Sequence, residues 1–275
     1  MSTEFVPSGA AALAVEESGQ GTPIVFLHAG IADRRSWHWL IEELDLPIRA
    51  IRYDRRAFGG TVFEFEEFSH LEDLRTVLDA RAVDRAILVG NSQGGRIAID
   101  FALRHPERVR ALVLIGSALS GSVGPAHPVP EVARLADAIH QAEADNDGDL
   151  LNDLVLHMWL DGPLSAAGRV QGAARDLASE MHVSHLLAVE PGDAEEPPSA
   201  VELLSSISVP TLVIVGDLDL PHIVERSEQI AAAIAGAHLV VMCGVAHIPQ
   251  LEAPAEVASL LRAFLVDEKL IVAHT

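Results

Sequence analysis

The stretch that most constrains this chain is Gly90-Asn91-Ser92-Gln93-Gly94-Gly95. An apolar run with β character, Arg85-Ala86-Ile87-Leu88-Val89, leads into it, and a helical run from Arg96 to Arg104 leads out. A serine at the apex of a tight strand-to-helix turn needs small residues on both sides, because a Cβ two positions away would meet the backbone. Such a turn lifts Ser92 Oγ clear of the sheet and places it at a helix N-terminus, where free N–H groups face any developing negative charge. Read without chemistry, the same hexapeptide is a glycine-rich turn with a serine N-cap.

The runs around it alternate. Pro23 to Leu27, Val109 to Ile115 and Thr211 to Gly216 are short and fully apolar or nearly so, and Ile48 to Tyr53, with Arg49 and Arg52 among its apolar residues, reads as another strand. Residues 36–44, 69–81, 222–235 and 254–266 carry apolar residues at helical spacing. Residues 10–17 and 238–243 read as two further strands, the second with Cys243 as apolar filler. This alternation implies an α/β fold with a mostly parallel central sheet covered by helices. The rhythm breaks after Ser117: residues 118–130 are rich in Gly, Ser and Pro, and 131–190 read as helices only. A helical cap inserted between two sheet strands follows. The expected division is a core of 1–119, a cap or lid of 120–205, and the rest of the core at 206–275.

Composition narrows the partners. The formal net charge is −21 and Lys269 is the only lysine, a field that repels nucleic acid and anionic lipid. No run reaches the roughly 18 apolar residues of a membrane helix. The expected partner is a small molecule, with no nucleic acid and no membrane; the oligomeric state, monomer or homodimer, stays open. Cys243 is the single cysteine, and the first residues lack the charge pattern of a secretory signal, so a cytoplasmic location is expected. The thirteen histidines are scattered without metal-ligand spacing, and no dinucleotide or phosphate-loop fingerprint occurs; neither a metal nor a cofactor is expected.

A serine hydroxyl needs a base, the base needs a carboxylate to fix its tautomer, and the oxyanion needs donors. In an open parallel sheet these groups belong just past strand ends. Asp217 and Asp219 follow the strand ending at Gly216, and His247 follows the strand ending near Cys243.

In these residues and their order, the sequence resembles the α/β-hydrolase family, serine esterase-like and with an inserted helical cap, over roughly residues 10 to 267. The resemblance implies Ser92 as nucleophile, His247 as base and, three residues after Gly216, Asp219 rather than Asp217 as acid. Leu27-His28-Ala29-Gly30 with the downstream Trp37 is similar to the family's oxyanion segment, implying the backbone N–H groups of Gly30 and Gln93 as the oxyanion hole. Ala29 stands where glycine is usual, which leaves two registers, Gly30 or Ile31, for the first donor. Asp54 to Thr61 looks like the family's Asp-x-Arg-Gly-x-Gly-x-Ser turn, with Ala57 and Thr61 as departures. Ile31, Trp37, Trp159 and Ile248 are the expected substrate-binding residues, although both tryptophans read equally well as core.

The implied activity is hydrolysis of carboxylic esters, lactones included, on modest-sized uncharged substrates through an acyl-enzyme. Asn91 before the serine resembles the meta-cleavage product hydrolases, which split carbon–carbon bonds. The glycine-rich oxyanion loop and the aromatic after the histidine are absent here, where Ile248 stands. A hydrolase-fold receptor that binds without productive turnover is the non-enzymatic alternative.

Overall fold

The computed structural model describes residues 2–124 and 129–271. Residues 125–128, part of the Gly/Ser/Pro-rich stretch, lie outside the described residues. In chain order the elements begin β1 (Glu4–Ser8), β2 (Ala11–Gly19), β3 (Thr22–Leu27), α1 (His38–Leu44), β4 (Ile48–Tyr53), β5 (Val62–Phe63), α2 (His70–Ala80), β6 (Ala86–Asn91), α3 (Gln93–Arg104) and β7 (Val109–Ile115). Three helices follow, α4 (Pro130–Ala144), α5 (Gly148–Leu156) and α6 (Ala173–Leu186), with a π-helical turn at His157–Asp161 between the last two. The sheet then resumes with β8 (Thr211–Gly216), α7 (Pro221–Ala233), β9 (His238–Met242), α8 (Pro249–Glu252) and α9 (Pro254–Asp267).

All strands join one sheet in the order β1-β2-β4-β3-β6-β7-β8-β9, with β5 pairing onto β2. From β4 to β9 the pairing is parallel, and β1, β2 and β5 pair antiparallel at one side. The central strands are apolar throughout because both faces are covered. Val25 and Leu27 point into one core layer with Leu88, Ile97 and Phe101, while Ile24 and Phe26 point into the other with Ile87, Val89, Leu261 and Phe264. The chain runs outward from β3 to β4, then returns and runs the other way from β6. The reversal puts the carboxyl ends of β3 and β6 side by side, the position where open α/β sheets hold ligands.

Three details differ from the sequence reading. The first strand is β1, ahead of the expected one; it is a short, largely exposed edge element interrupted by Pro7, with no apolar run to announce it. Strand β9 ends at Met242 and is mostly exposed as the sheet's far edge. Cys243 therefore lies outside the strand and exposed rather than packed as filler, with the Asp217 carboxylate beside it raising its thiol above the usual range.

On α3, Asp100 is buried, accepts a hydrogen bond from Ser120 Oγ at 2.7 Å, and is raised to about 6, chiefly by burial. The folded state thus holds this proton more tightly than the unfolded chain, so ionising Asp100 costs stability as pH rises from about 4 through about 6. Asp100→Asn is expected to raise stability at pH 8 by about 1 kcal/mol, after discounting for partial solvation, and to have no such effect near pH 4. Thermal melts of both proteins at the two pH values check this; equal stability at both would refute it.

Candidate active site

Ser92 sits at the β6–α3 junction with φ 55° and ψ −116°, a conformation that costs a non-glycine residue energy and persists only where the surroundings impose it. The surroundings are tight. A Cβ on Gly90 would fall 2.4 Å from Gly94 O, and one on Gly94 would fall 2.0 Å from Leu27 O. Ser92 N–H is tied to Ile115 O at 2.9 Å, and Ser92 O accepts from Ala118 N–H at 3.0 Å and Arg96 N–H at 3.1 Å. The hydroxyl itself has no hydrogen-bond partner among the described residues.

Past the end of β8, the Asp219 carboxylate accepts from Leu220 N–H through Oδ1 and faces His247 Nδ1 through Oδ2, both at 2.7 Å. The pair is buried, at 4% exposure for Asp219 and 2% for His247. With Nδ1–H donated to Asp219, His247 Nε2 carries the free lone pair. Asp217, the other candidate, is exposed and its Oδ1 accepts from Gly244 N–H at 2.7 Å instead. A Cβ on Gly116 would lie 3.1 Å from both Asp219 Oδ2 and His247 Nδ1, so a bare residue there leaves room for the pair.

The structure brings Ser92 and His247 together with Ala29, Gly30, Ile31, Gln93 and Trp159 around one pocket of about 190 Å³. Among the described residues, no Asp, Glu, Lys or Arg lines it. Trp159 lies on the π-helical turn, its ring 4.6 Å from the His247 ring and its carbonyl accepting from His247 N–H at 3.2 Å. A single wide turn re-aims a side chain without breaking the helix. Gly30 N–H and Gln93 N–H have no acceptor among the described residues; Gln93 opens α3, where N–H groups have no partner within the helix.

Two expected pocket residues lie elsewhere. Trp37 is fully buried in the core, 5.4 Å from Phe26 ring to ring, behind the oxyanion segment rather than beside the substrate space. Ile248 is fully buried among Ala29, Leu156, Leu160 and Met181, where it joins the histidine loop to the helices above. The apolar character that suggested a pocket wall serves packing in both cases.

His28 is buried and neutral. Its Nε2 accepts from Arg55 N–H at 3.1 Å, so Nδ1 carries the proton and donates to Ala29 O at 2.8 Å. Burial, with the Arg55 charge nearby, holds it well below the usual histidine range.

Two groups that sequence reasoning did not weigh as site residues hold the histidine loop. Asn91 is fully buried and turned away from the pocket: Nδ2 donates to Ile115 O at 2.9 Å and His247 O at 3.0 Å, and Oδ1 accepts from Gln250 Nε2 at 2.9 Å. Glu252 accepts from Ala246 N–H at 2.9 Å and pairs with Arg169. Arg169 also donates to Leu160 O, Asp161 O and Gly244 O, linking the turn that carries Trp159 to the loop that carries His247. Burial raises the Glu252 carboxyl to about 7 against the pull of Arg169. Such contacts join residues 83 positions apart, and no local signal announces them. Among the described residues, no group of three or more His, Cys, Asp or Glu is arranged to hold a metal ion, and no helix is long and apolar enough to cross a membrane.

Comparisons with known proteins agree with this architecture. The family model described as the alpha/beta hydrolase family matches residues 24–260. The 2-hydroxymuconate semialdehyde hydrolase of Pseudomonas sp. (strain CF600) is 30% identical over 92% of this chain and 90% of its own. The strigolactone esterase D14 of Arabidopsis thaliana is 25% identical over 92% of this chain and 96% of its own. Among solved structures, Est816, described as an N-acyl homoserine lactone degrading enzyme, superposes with a TM-score of 0.73 at 27% identity, covering 94% of this chain and 99% of its own. The sheet order, the strand-to-helix turn at Ser92 and the family match over most of its length agree: this chain belongs to the alpha/beta hydrolase family.

Proposed function

We propose that the protein is a serine hydrolase of small, uncharged carboxylic esters, lactones included. The observation that carries the reading is the buried Asp219–His247 pair at 2.7 Å, whose histidine borders the same pocket as a serine held at φ 55°. Ser92 Oγ attacks the substrate carbonyl while His247 Nε2 takes its proton, and the resulting imidazolium is stabilised by Asp219. The oxyanion gathers at the N–H groups of Gly30 and Gln93, which have no acceptor among the described residues; Ile31 N–H has none either, so the choice of Gly30 follows the resemblance to the family's oxyanion segment. His247 then protonates the leaving alcohol, and the acyl-enzyme on Ser92 is hydrolysed by water that His247 activates.

Residues 120–205 act as a cap over a core of 1–119 and 206–275; Trp159 from the helical segment forms one wall of the pocket, which supports that role. A pocket of about 190 Å³ with no Asp, Glu, Lys or Arg among the described residues of its lining favours a small neutral acyl group. The single cysteine fits the reducing cytoplasm where such a small-molecule hydrolase would work.

A second reading, hydrolysis of a carbon–carbon bond, draws on the Pseudomonas relative and on Asn91. Two observations weigh against it. Every hydrogen-bonding atom of the Asn91 amide is engaged in holding the histidine loop, so the residue has a role that is independent of substrate. A dienoate brings a carboxylate, and among the described residues no Lys or Arg lines the pocket to receive it. Turnover of a nitrophenyl ester, an N-acyl homoserine lactone and a ring-fission dienoate by the same preparation tests the choice. We expect kcat/KM on the ester or lactone to exceed that on the dienoate by at least about 100-fold, a difference of about 3 kcal/mol in transition-state binding. The reverse order would establish the carbon–carbon reading.

A further inference from the structure

Arg55 stands two residues past the end of β4 and is buried at 3% exposure. Among the described residues no carboxylate pairs with it. The neighbouring Asp54 carboxylate is engaged by Arg34 and by Gly60 N–H. The Arg55 guanidinium instead meets two neutral oxygens: Nη2 donates to Ala29 O at 3.1 Å and Nη1 to Gln93 Oε1 at 2.9 Å. Its Nε is buried without a partner. The Phe58 ring covers one face of the cation at 4.4 Å and is itself stacked on His185 of α6 at 4.1 Å. Burial lowers Arg55 to about 10, so it stays charged at neutral pH.

A buried charge that makes no ion pair, attracted only at a distance by the Asp54 already engaged by Arg34, is costly, and an apolar residue of similar volume often serves the fold as well or better. The placement of this one suggests what it does. Ala29 O and Gly30 N–H are the two ends of one peptide unit. A cation at the oxygen end, beside the His28 Nδ1–H already donated there, draws electron density toward the oxygen and strengthens the N–H at the other end as a donor. The second arm of the same guanidinium fixes the Gln93 side chain, whose amide packs against Gly30, 3.0 Å from where a Cβ would stand.

We infer that Arg55 is a positioning residue whose charge polarises the Ala29–Gly30 peptide and fixes Gln93, so that negative charge developing on the substrate oxygen meets strengthened, pre-set donors. The inference rests on the reading of Ser92 as nucleophile with Gly30 and Gln93 as the oxyanion donors. It predicts an effect confined to the step in which charge develops.

The test compares wild type with Arg55→Met and Arg55→Gln, measuring kcat and KM on a nitrophenyl ester together with thermal melting. Arg55→Met is expected to lower kcat about 10- to 100-fold, to leave KM within about threefold, and to melt at the same temperature as wild type or higher. Greater stability with slower chemistry is an outcome that a purely structural arginine does not give. Arg55→Gln keeps a donor for Ala29 O but not the charge; it is expected to match the methionine variant in kcat, and it decides the question alone if Arg55→Met does not fold. Wild-type kcat in either folded variant, or a loss of activity that only tracks a lower melting temperature, overturns the inference while leaving the esterase reading standing. A wild type inert on esters and lactones overturns both.

Discussion

Ser92→Ala is expected to leave a folded protein that has lost about four to six decades of kcat on any ester or lactone the wild type accepts. The size of the loss follows from the way the groups act as a unit: without Oγ, His247 has no proton to take and Asp219 no imidazolium to stabilise. Folding should be indifferent, because Ser92 Oγ makes no hydrogen bond among the described residues. The strained backbone is held by the bonds of Ser92 N–H and O to Ile115, Arg96 and Ala118, which alanine keeps. Thermal melting and a single-substrate assay on both proteins check this, and a slow phosphonate followed by peptide mapping should label Ser92 in wild type and nothing in the variant. Retention of more than a few per cent of activity, or labelling elsewhere, would move the nucleophile away from the turn.

The sequence already revealed why such a turn exists, and the reason is local. Residues 85–95 carry both the apolar run of a strand buried on two faces and the glycines that a close approach demands, Gly94 against Leu27 O above all. The strands β7 and β8 were legible on the same ground, since near-continuous apolar runs are what double coverage requires; β4, with Arg49 and Arg52 among its six residues, gave a weaker signal. Where burial is one-sided or absent the signal fades: β1, at one sheet edge and mostly exposed, was not read at all, whereas β9 at the other edge was read from its apolar run with only its end one residue too far. Trp37 and Trp159 illustrate a different limit. Both are large and lie near recognisable motifs, yet one packs on Phe26 in the core and the other reaches His247 from a π-helical turn. Which does which depends on helix geometry within the segment between β7 and β8, and composition does not encode it. The same holds for Asn91, which looked like a clue to substrate while it stood in a motif. In the fold it is a fully buried clamp on the histidine loop.

The two aspartates after β8 give the second large effect. Asp219→Asn is expected to lower kcat by about four decades, whereas Asp217→Asn should cost less than about tenfold. The asymmetry lies in what each carboxylate accepts. Asp219 Oδ2 receives Nδ1–H of a histidine that is almost wholly buried, so no water is at hand to replace it. An asparagine there can present its amide N–H to the ring, which then holds its proton on Nε2 and leaves that nitrogen unable to take one from Ser92. The buried site would keep its shape, since the Leu220 N–H bond to the other oxygen needs only an acceptor. Asp217 serves a backbone N–H, that of Gly244, at an exposed position, and asparagine accepts that bond as well as aspartate does. Steady-state kcat for the two variants on one ester, with melting curves to show that both are folded, decides the matter. Equal losses would mean that the loop as a whole, rather than one carboxylate, sets the His247 tautomer, and a larger loss from Asp217→Asn would transfer the acid's role to the exposed residue.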